Sequence, residues 1–287
     1  MIRILIFFIF FLTTHLYAQL LDTDIYLFDI KCTGKTIKVE SQKNITNRKG
    51  YDNQPYFHPE KPLLYFVSIK EDNQSDIYYY DLNKKSIQQF TKTTISEYSP
   101  QLSPDKKLIT CVVVESDSAQ KIYGYDVTGK SNGKPLFDED SIGYYSWMNS
   151  DTIIYYKLTQ PHSLQVYDLS SKQNVWIANH PARAFKSFNN DHFFYCVKEQ
   201  DTSQVRSYSA LLKKSELIAL TSKSNEDFIW QEPFGLMKTE NKKIYRYDSG
   251  FELWIEVLDF SNIISGKISR FALSKDKKHL AVVVHNN

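Results

Sequence analysis

Residues of the kinds that bind and catalyse recur along this chain at regular intervals. Asp52 and Asn53 are followed by Glu97 and Tyr98, by Tyr144 and Tyr145, by Arg183, by Glu226 and Asp227, and by Ser269 and Arg270. Carboxylates brought together would shift one another's pKa or attract a cation. Tyrosines could stack on a ring or hold a cation. The arginines offer a plainer outcome, in which acid and base pair off to satisfy buried groups. That outcome is favoured, because structural ion-pair networks are common and also perturb pKa values. The ligand-binding candidates are therefore Asp52, Asn53, Glu97, Tyr98, Tyr144, Tyr145, Arg183, Asp227 and Arg270, with no catalytic residue, metal ligand or cofactor expected.

Two catalytic motifs match by pattern and fail by context. Gly124-Tyr125-Asp126-Val127-Thr128-Gly129-Lys130-Ser131 fits the phosphate-loop pattern, but such a loop must run from a strand into a helix. Here Asn132-Gly133-Lys134-Pro135 follows, which cannot start a helix cleanly. Gly129-Lys130-Ser131-Asn132-Gly133 fits the nucleophile-elbow pattern and lacks the same strand–turn–helix setting. His58, His162, His180, His192, His279 and His285 fall in no metal-binding spacing and read as surface residues. Cys111 and Cys196 sit in apolar runs and read as buried strand residues; three widely spaced cysteines make no disulfide framework, although a bridge from Cys32 stays open.

The elements that must position these residues form a repeat. Phe57, Leu102, Trp147, Phe188, Trp230 and Leu273 mark one place in units of roughly 41–45 residues, and a strand-like run follows most of them: Leu63–Ile69, Leu108–Glu115, Ile153–Leu158, Phe193–Val197 and Leu280–Val284. Further along each unit comes an alternating aromatic strand closed by aspartate, as in Ile77-Tyr78-Tyr79-Tyr80-Asp81, Ile122–Asp126, Leu164–Asp168 and Ile244–Asp248. Four short strands per unit, alternating with period two, predict a β-propeller blade. Stacked blades bury two apolar faces that one blade alone would expose. Ile25-Tyr26-Leu27-Phe28-Asp29 and Thr36–Glu40 supply the second half of a unit, and Ile268–Leu273 with Leu280–Val284 supply a first half. The expected fold is thus all-β: a six-bladed propeller of four-stranded antiparallel blades, the last closed by N- and C-terminal strands.

Met1–Gln19 carries Arg3, an unbroken apolar run Ile4–Leu12 and a small residue at Ala18, which reads as a secretory signal peptide cleaved after Ala18 or Gln19. No cysteine follows for a lipid anchor, and no later segment has the length and apolarity of a membrane span. The domains expected are a signal peptide, 1–19, and one propeller, 20–287. Thirty-five Lys+Arg against thirty-three Asp+Glu leave a net charge of +2, without the basic excess that a nucleic-acid or anionic-membrane binder needs.

Ser103-Pro104-Asp105-Lys106-Lys107, set after Glu97-Tyr98-Ser99-Pro100, resembles the TolB-like propeller repeats, the PD40 or WD40-like group. Asp52-Asn53-Gln54-Pro55 and Ser274-Lys275-Asp276-Lys277 fit the same motif, and the resemblance covers essentially all of the mature chain. The group usually has glycine after the aspartate, where this chain has Lys106 and Lys277. TolB itself carries an α/β domain ahead of its propeller, whereas this propeller begins almost at the cleavage site. The resemblance therefore implies a stand-alone, monomeric, secreted or periplasmic propeller rather than TolB, and TolB's lipoprotein partner does not carry over. The expected function is non-catalytic binding of a protein, peptide, small-molecule or glycan partner at the channel face. The alternative is a propeller hydrolase or lactonase-like enzyme using Asp52, Glu97 and Asp227, with a divalent cation at the axis.

Overall fold

Alternating aromatic and aliphatic residues make short strands. Twenty-four of them are the regular structure of residues 21–70 and 73–286, which the computed structural model describes. The expected signal peptide lies outside the described residues. In chain order the strands are β1 (Thr23–Thr33), β2 (Thr36–Asn44), β3 (Tyr51–Phe57), β4 (Leu63–Ile69), β5 (Ser75–Asp81), β6 (Ser86–Gln89), β7 (Ser96–Leu102), β8 (Leu108–Val114), β9 (Gln120–Asp126), β10 (Lys134–Pro135), β11 (Ile142–Trp147) and β12 (Thr152–Lys157). They continue as β13 (Ser163–Asp168), β14 (Gln173–Asn179), β15 (Pro181–Ser187), β16 (His192–Lys198), β17 (Thr202–Ser209), β18 (Lys214–Ser222), β19 (Phe228–Gln231), β20 (Gly235–Glu240), β21 (Lys243–Asp248), β22 (Leu253–Asp259), β23 (Ile268–Leu273) and β24 (His279–His285). No helix occurs among the described residues.

Strands β7–β10, β11–β14, β15–β18 and β19–β22 form four-stranded antiparallel sheets. The remaining eight strands form one sheet, in which β23-β24-β1-β2 and β3-β4-β5-β6 are joined only by the parallel pair Thr23↔Tyr51. The four-stranded sheets are meanders, so in each the second strand lies between neighbours, and most second strands are apolar nearly throughout. β4, Leu-Leu-Tyr-Phe-Val-Ser-Ile, is buried from its second residue to its last. The fourth strands face solvent and are mostly exposed, as β14 shows.

Turn chemistry explains why the pattern repeats. The aspartate that closes each third strand folds back on the next turn: Asp81 Oδ1 accepts the N–H groups of Asn83 and Lys84, Asp126 Oδ1 that of Thr128, and Asp168 Oδ1 that of Ser171. Between first and second strands, the Ser103 and Ser274 hydroxyls donate to Asp105 and Asp276 and accept the N–H groups of Leu108 and His279. His58 takes the serine's place in the preceding unit, its Nδ1 accepting the N–H groups of Glu60 and Lys61. Lys106 and Lys277, which replace the group's glycine, carry its left-handed backbone at φ 64° and 59°.

The apolar core is divided into clusters between successive strand groups. Cys111 and Cys196 are buried in them, as expected, and Cys32 is a free thiol donating to the Lys277 carbonyl. The chain's two ends share a sheet, β1 pairing with β24 from Thr23↔His285 to Asp29↔His279. β1 runs further than the sequence pattern suggested, because Cys32 and Thr33 go on pairing with β2. At the closure, Gly266 lies against the last strand so closely that a Cβ there would sit 1.7 Å from the His285 carbonyl oxygen. Gly266→Ala must push β24 backbone aside, and overpacking of that kind costs about 1–3 kcal/mol. The expected result is a melting temperature lower by roughly 5 °C, read by thermal denaturation.

Candidate functional site

The first strands of the groups, β3, β7, β11, β15, β19 and β23, surround a central channel, each with an edge free of pairing except for the single pair of β3 with β1. Five of these strands break register with their partner: between Asn53 and Tyr56, Tyr98 and Gln101, Ile142 and Tyr144, Pro181 and Phe185, and Ile268 and Arg270. Pro55 and Pro100 sit in two of the bulges, where a missing N–H breaks no ladder. Gln54 and Ser99, just before them, have left-handed φ of 56°. The bulges turn polar groups inward and tie first strand to first strand. Ser99 N–H donates to Gln54 Oε1 at 2.6 Å, and Gln101 Nε2 donates to the Tyr145 carbonyl at 2.7 Å.

Side chains also reach across the channel from one strand group to another. The Arg270 guanidinium of β23 lies 5.3 Å from the ring centroid of Tyr144 on β11, and the Lys186 ammonium of β15 lies 5.9 Å from that of Tyr56 on β3. Arg183 Nη2 of β15 donates to the Ser269 carbonyl of β23 at 2.9 Å. Asp227 Oδ2 accepts the Phe271 N–H at 2.9 Å. Burial pushes the Asp227 carboxyl upward, with Arg270 and Arg183 opposing it. Burial lowers the Lys186 and Arg183 pKa values, Arg270 adding to the second. What remains open inside the channel is a cavity of about 150 Å³. That is room for a few waters at roughly 30 Å³ each, and below the roughly 300 Å³ at which ligand sites begin.

Of the residues expected to converge, Tyr144, Arg183, Asp227 and Arg270 line this channel. Tyr145 lines it as well and its carbonyl accepts from Gln101, while its ring is buried in the core and its hydroxyl bonds Thr110 Oγ1 at 2.7 Å. Tyr98 packs into the seams on either side of its sheet. The Asn53 side chain is buried and accepts the Gln54 N–H. Asp52 and Glu97 depart from the expected gathering of carboxylates. Asp52 pairs with Arg48 at 2.9 Å beside Ser68. Glu97 accepts the hydroxyls of Thr91, Thr93 and Tyr125 in the seam between the β3–β6 and β7–β10 groups. They precede the bulges, and on a strand with a side-chain period of two that places them on the seam side. Among the described residues no cluster of His, Cys, Asp and Glu is placed to hold a metal ion.

Beside the channel mouth, between the β19–β22 sheet and β23–β24, a larger groove of about 550 Å³ opens. Arg183 and Asp227 line both spaces, joined in the groove by Glu226, Glu240, Lys267, Ser269 and His285. Glu226 pairs with Lys198 and lies 3.8 Å from Arg183 Nε, and Glu240 pairs with Lys238 at 2.9 Å. Sequence reasoning missed Gln54, Gln101 and Lys186 in the channel and Lys267 in the groove. A usable signal was present for the first two: Gln54-Pro55 and Ser99-Pro100 inside strand patterns mark an edge or a bulge. Nothing marked Lys267, which lies in a connection.

The meandering sheets around an axis make the chain a β-propeller. Its fold is that of the TolB-like propellers. A putative TolB from Agrobacterium tumefaciens superposes with a TM-score of 0.69 at 13% identity, over 93% of this chain and 99% of that one. TolB from Acinetobacter baumannii gives 0.59 at 14% identity, over 93% of this chain and 64% of that one. A chain of the nidogen–laminin complex gives 0.59 at 8% identity, over 91% and 98%. At these identities the likeness is one of fold alone. No protein-family model matches the chain, and no curated protein matches it in sequence.

Proposed function

We propose that the protein is a binding module, not a catalyst: a secreted or periplasmic, monomeric propeller of residues 20–287 behind a signal peptide of residues 1–19. It receives a protein, peptide, small-molecule or glycan partner at the face that carries the groove. Six blades are the reading that the sheets support, since the eight-stranded one is divided by a single residue pair and six core clusters separate the groups.

The observation that carries the proposal is the state of the carboxylates. Glu226, Asp227 and Glu240 are each held by an ion pair or hydrogen bond in a groove of ligand size, and Asp52 and Glu97 are held away from it. A general acid or base must be within reach of substrate, and these groups are committed to the scaffold. Loops and openings on a rigid frame are where binding groups concentrate. A fold neighbour solved in complex with another protein is consistent with this use.

The test is affinity capture and a glycan and peptide array with residues 20–287, run beside a Lys267→Glu variant. Lys267 is exposed on the groove rim, so the variant keeps the fold. A partner retained by the wild type and reduced about tenfold by Lys267→Glu is expected. Turnover in a hydrolase panel that is abolished by Asp227→Asn would overturn the reading.

A further inference from the structure

The groove has polar groups without partners, and they point to one ligand chemistry. Arg183 Nε and Ser269 Oγ are buried and have no hydrogen-bond partner. Leaving such groups unmet costs about 1–3 kcal/mol each, more for a charged one. Arg183 has spent one nitrogen, Nη2, on the Ser269 carbonyl, and its contact with Glu226 at 3.8 Å is an ion pair beyond hydrogen-bond reach. Ser269 adjoins the same guanidinium, since the bond from Arg183 ends on its carbonyl.

The acids of the groove already have partners, so they do not meet these donors. The acids lining the groove are Glu226, Asp227 and Glu240. Lys198 answers Glu226, and Lys238 answers Glu240. Asp227 accepts the Phe271 N–H and is flanked by Arg270 and Arg183. Lys267, on the rim, has no ion pair among the described residues. Lys198 and Lys238 thus meet two of the groove's acids from outside its lining, and Lys267 stays on the rim beside the unmet donors of Arg183 and Ser269.

We propose that this groove binds a carboxylate group, with the Arg183 guanidinium and Ser269 hydroxyl donating to its oxygens and Lys267 adding charge at the rim. A carboxylate suits a guanidinium whose Nε–H is unmet beside an unmet hydroxyl. The cavity of about 550 Å³ leaves room for several more atoms behind the carboxylate, so the ligand is a small acid or the end of a chain. This deepens the binding reading given above and rests on it.

The experiment is a titration of residues 20–287, followed by NMR shifts and calorimetry, with three probes: acetyl-trialanine with a free carboxylate, the same peptide as its amide, and succinate. The free acid is expected to bind, with the amide at least tenfold weaker. A charge-assisted hydrogen bond of about 1.5–3 kcal/mol corresponds to roughly a tenfold or greater change. Succinate equal to the peptide acid would assign the site to free small acids; succinate weaker would assign it to chain ends; either outcome supports a carboxylate site. Arg183→Gln, checked for fold by near-ultraviolet circular dichroism, should weaken the acid tenfold, and Lys267→Gln severalfold. The exposed Lys267 keeps the test standing if Arg183→Gln does not fold. The proposal is overturned if no acid binds at 10 mM or so, if the amide binds as well as the acid, or if neither variant changes affinity. A partner captured equally by wild type and Lys267→Gln would leave the module reading in place and remove the carboxylate.

Discussion

Removal of β24 is expected to abolish the native fold rather than shorten it. Leu280, Ala281, Val282, Val283 and Val284 are each at most 1% exposed, and the strand stands between β23 and β1. Burying a large aliphatic side chain is worth about 1.5–3 kcal/mol, so the strand accounts for something on the order of 10 kcal/mol. Whole domains are stable by only about 5–15 kcal/mol. A chain ending at Ser274 also leaves β1 with only β2 and the single pair to β3, and the Phe28–Phe260 contact at 4.9 Å loses its support. Size-exclusion chromatography and near-ultraviolet circular dichroism should show an expanded chain without fixed aromatic packing. Val283→Asp, with one charge at the same buried place, should do the same. A truncated chain that melts within a few degrees of the full one would show that the ring does not depend on its closing strand.

The second large effect is a pH dependence centred on Glu97. Its carboxyl is completely buried, and burial pushes its pKa from 4.5 up to about 7, against the pull of the Thr93 and Tyr125 hydroxyls and with a further push from Asp76. The folded chain thus keeps this proton to about pH 7, while the unfolded chain releases it near 4.5. Between those values the folded state holds more protons, so stability is greatest at the acid end and falls as pH rises. At about 1.4 kcal/mol per pH unit, the fall attributable to this group is about 3 kcal/mol. Other groups titrate in the same window, so the measurement is a difference: denaturation midpoints from pH 4.5 to 7.5 for wild type and Glu97→Gln. The amide keeps the side chain's shape and should remove most of the slope. Glu97→Ala removes the shared acceptor of Thr91, Thr93 and Tyr125 and leaves a void, at a cost of about 2–4 kcal/mol at every pH. Parallel wild-type and Glu97→Gln curves would mean that Glu97 is ionised throughout the range.

The fold was legible because the chain states it several times. Asp81, Asp126, Asp168 and Asp248 each close an aromatic strand, and each caps the turn that follows. A local device read once could mislead; in register it fixes strand ends and hence the sheets. The half units at Ile25–Asp29 and Leu280–Val284 showed where the ring is joined, because each lacked the strands that the other has. The site was only partly legible. Asp52 and Glu97 hold the same place in their units, and the sequence pattern sends them toward the axis. Yet a slip of one residue reverses a strand's faces, and the bulges at Gln54-Pro55 and Ser99-Pro100 supply such slips. Tyr144, Arg183, Asp227 and Arg270 reach the channel on strands whose irregularities differ in length and place, β19 having no register shift. No composition or spacing rule carries that information.

The pairing of Asp29 with His279 joins residues 250 positions apart. Bringing such distant segments together carries an entropic penalty that grows slowly with separation, but its cost falls before any reward of contact arrives. Among the described strands, β1 and β2 leave the ribosome before the others and β24 after them. Through all the intervening synthesis that hairpin has one unsatisfied border, rich in apolar residues, of the sort that recruits other strands. Closure of this sheet thus waits for β24, and β1 is the strand that most needs shielding until then.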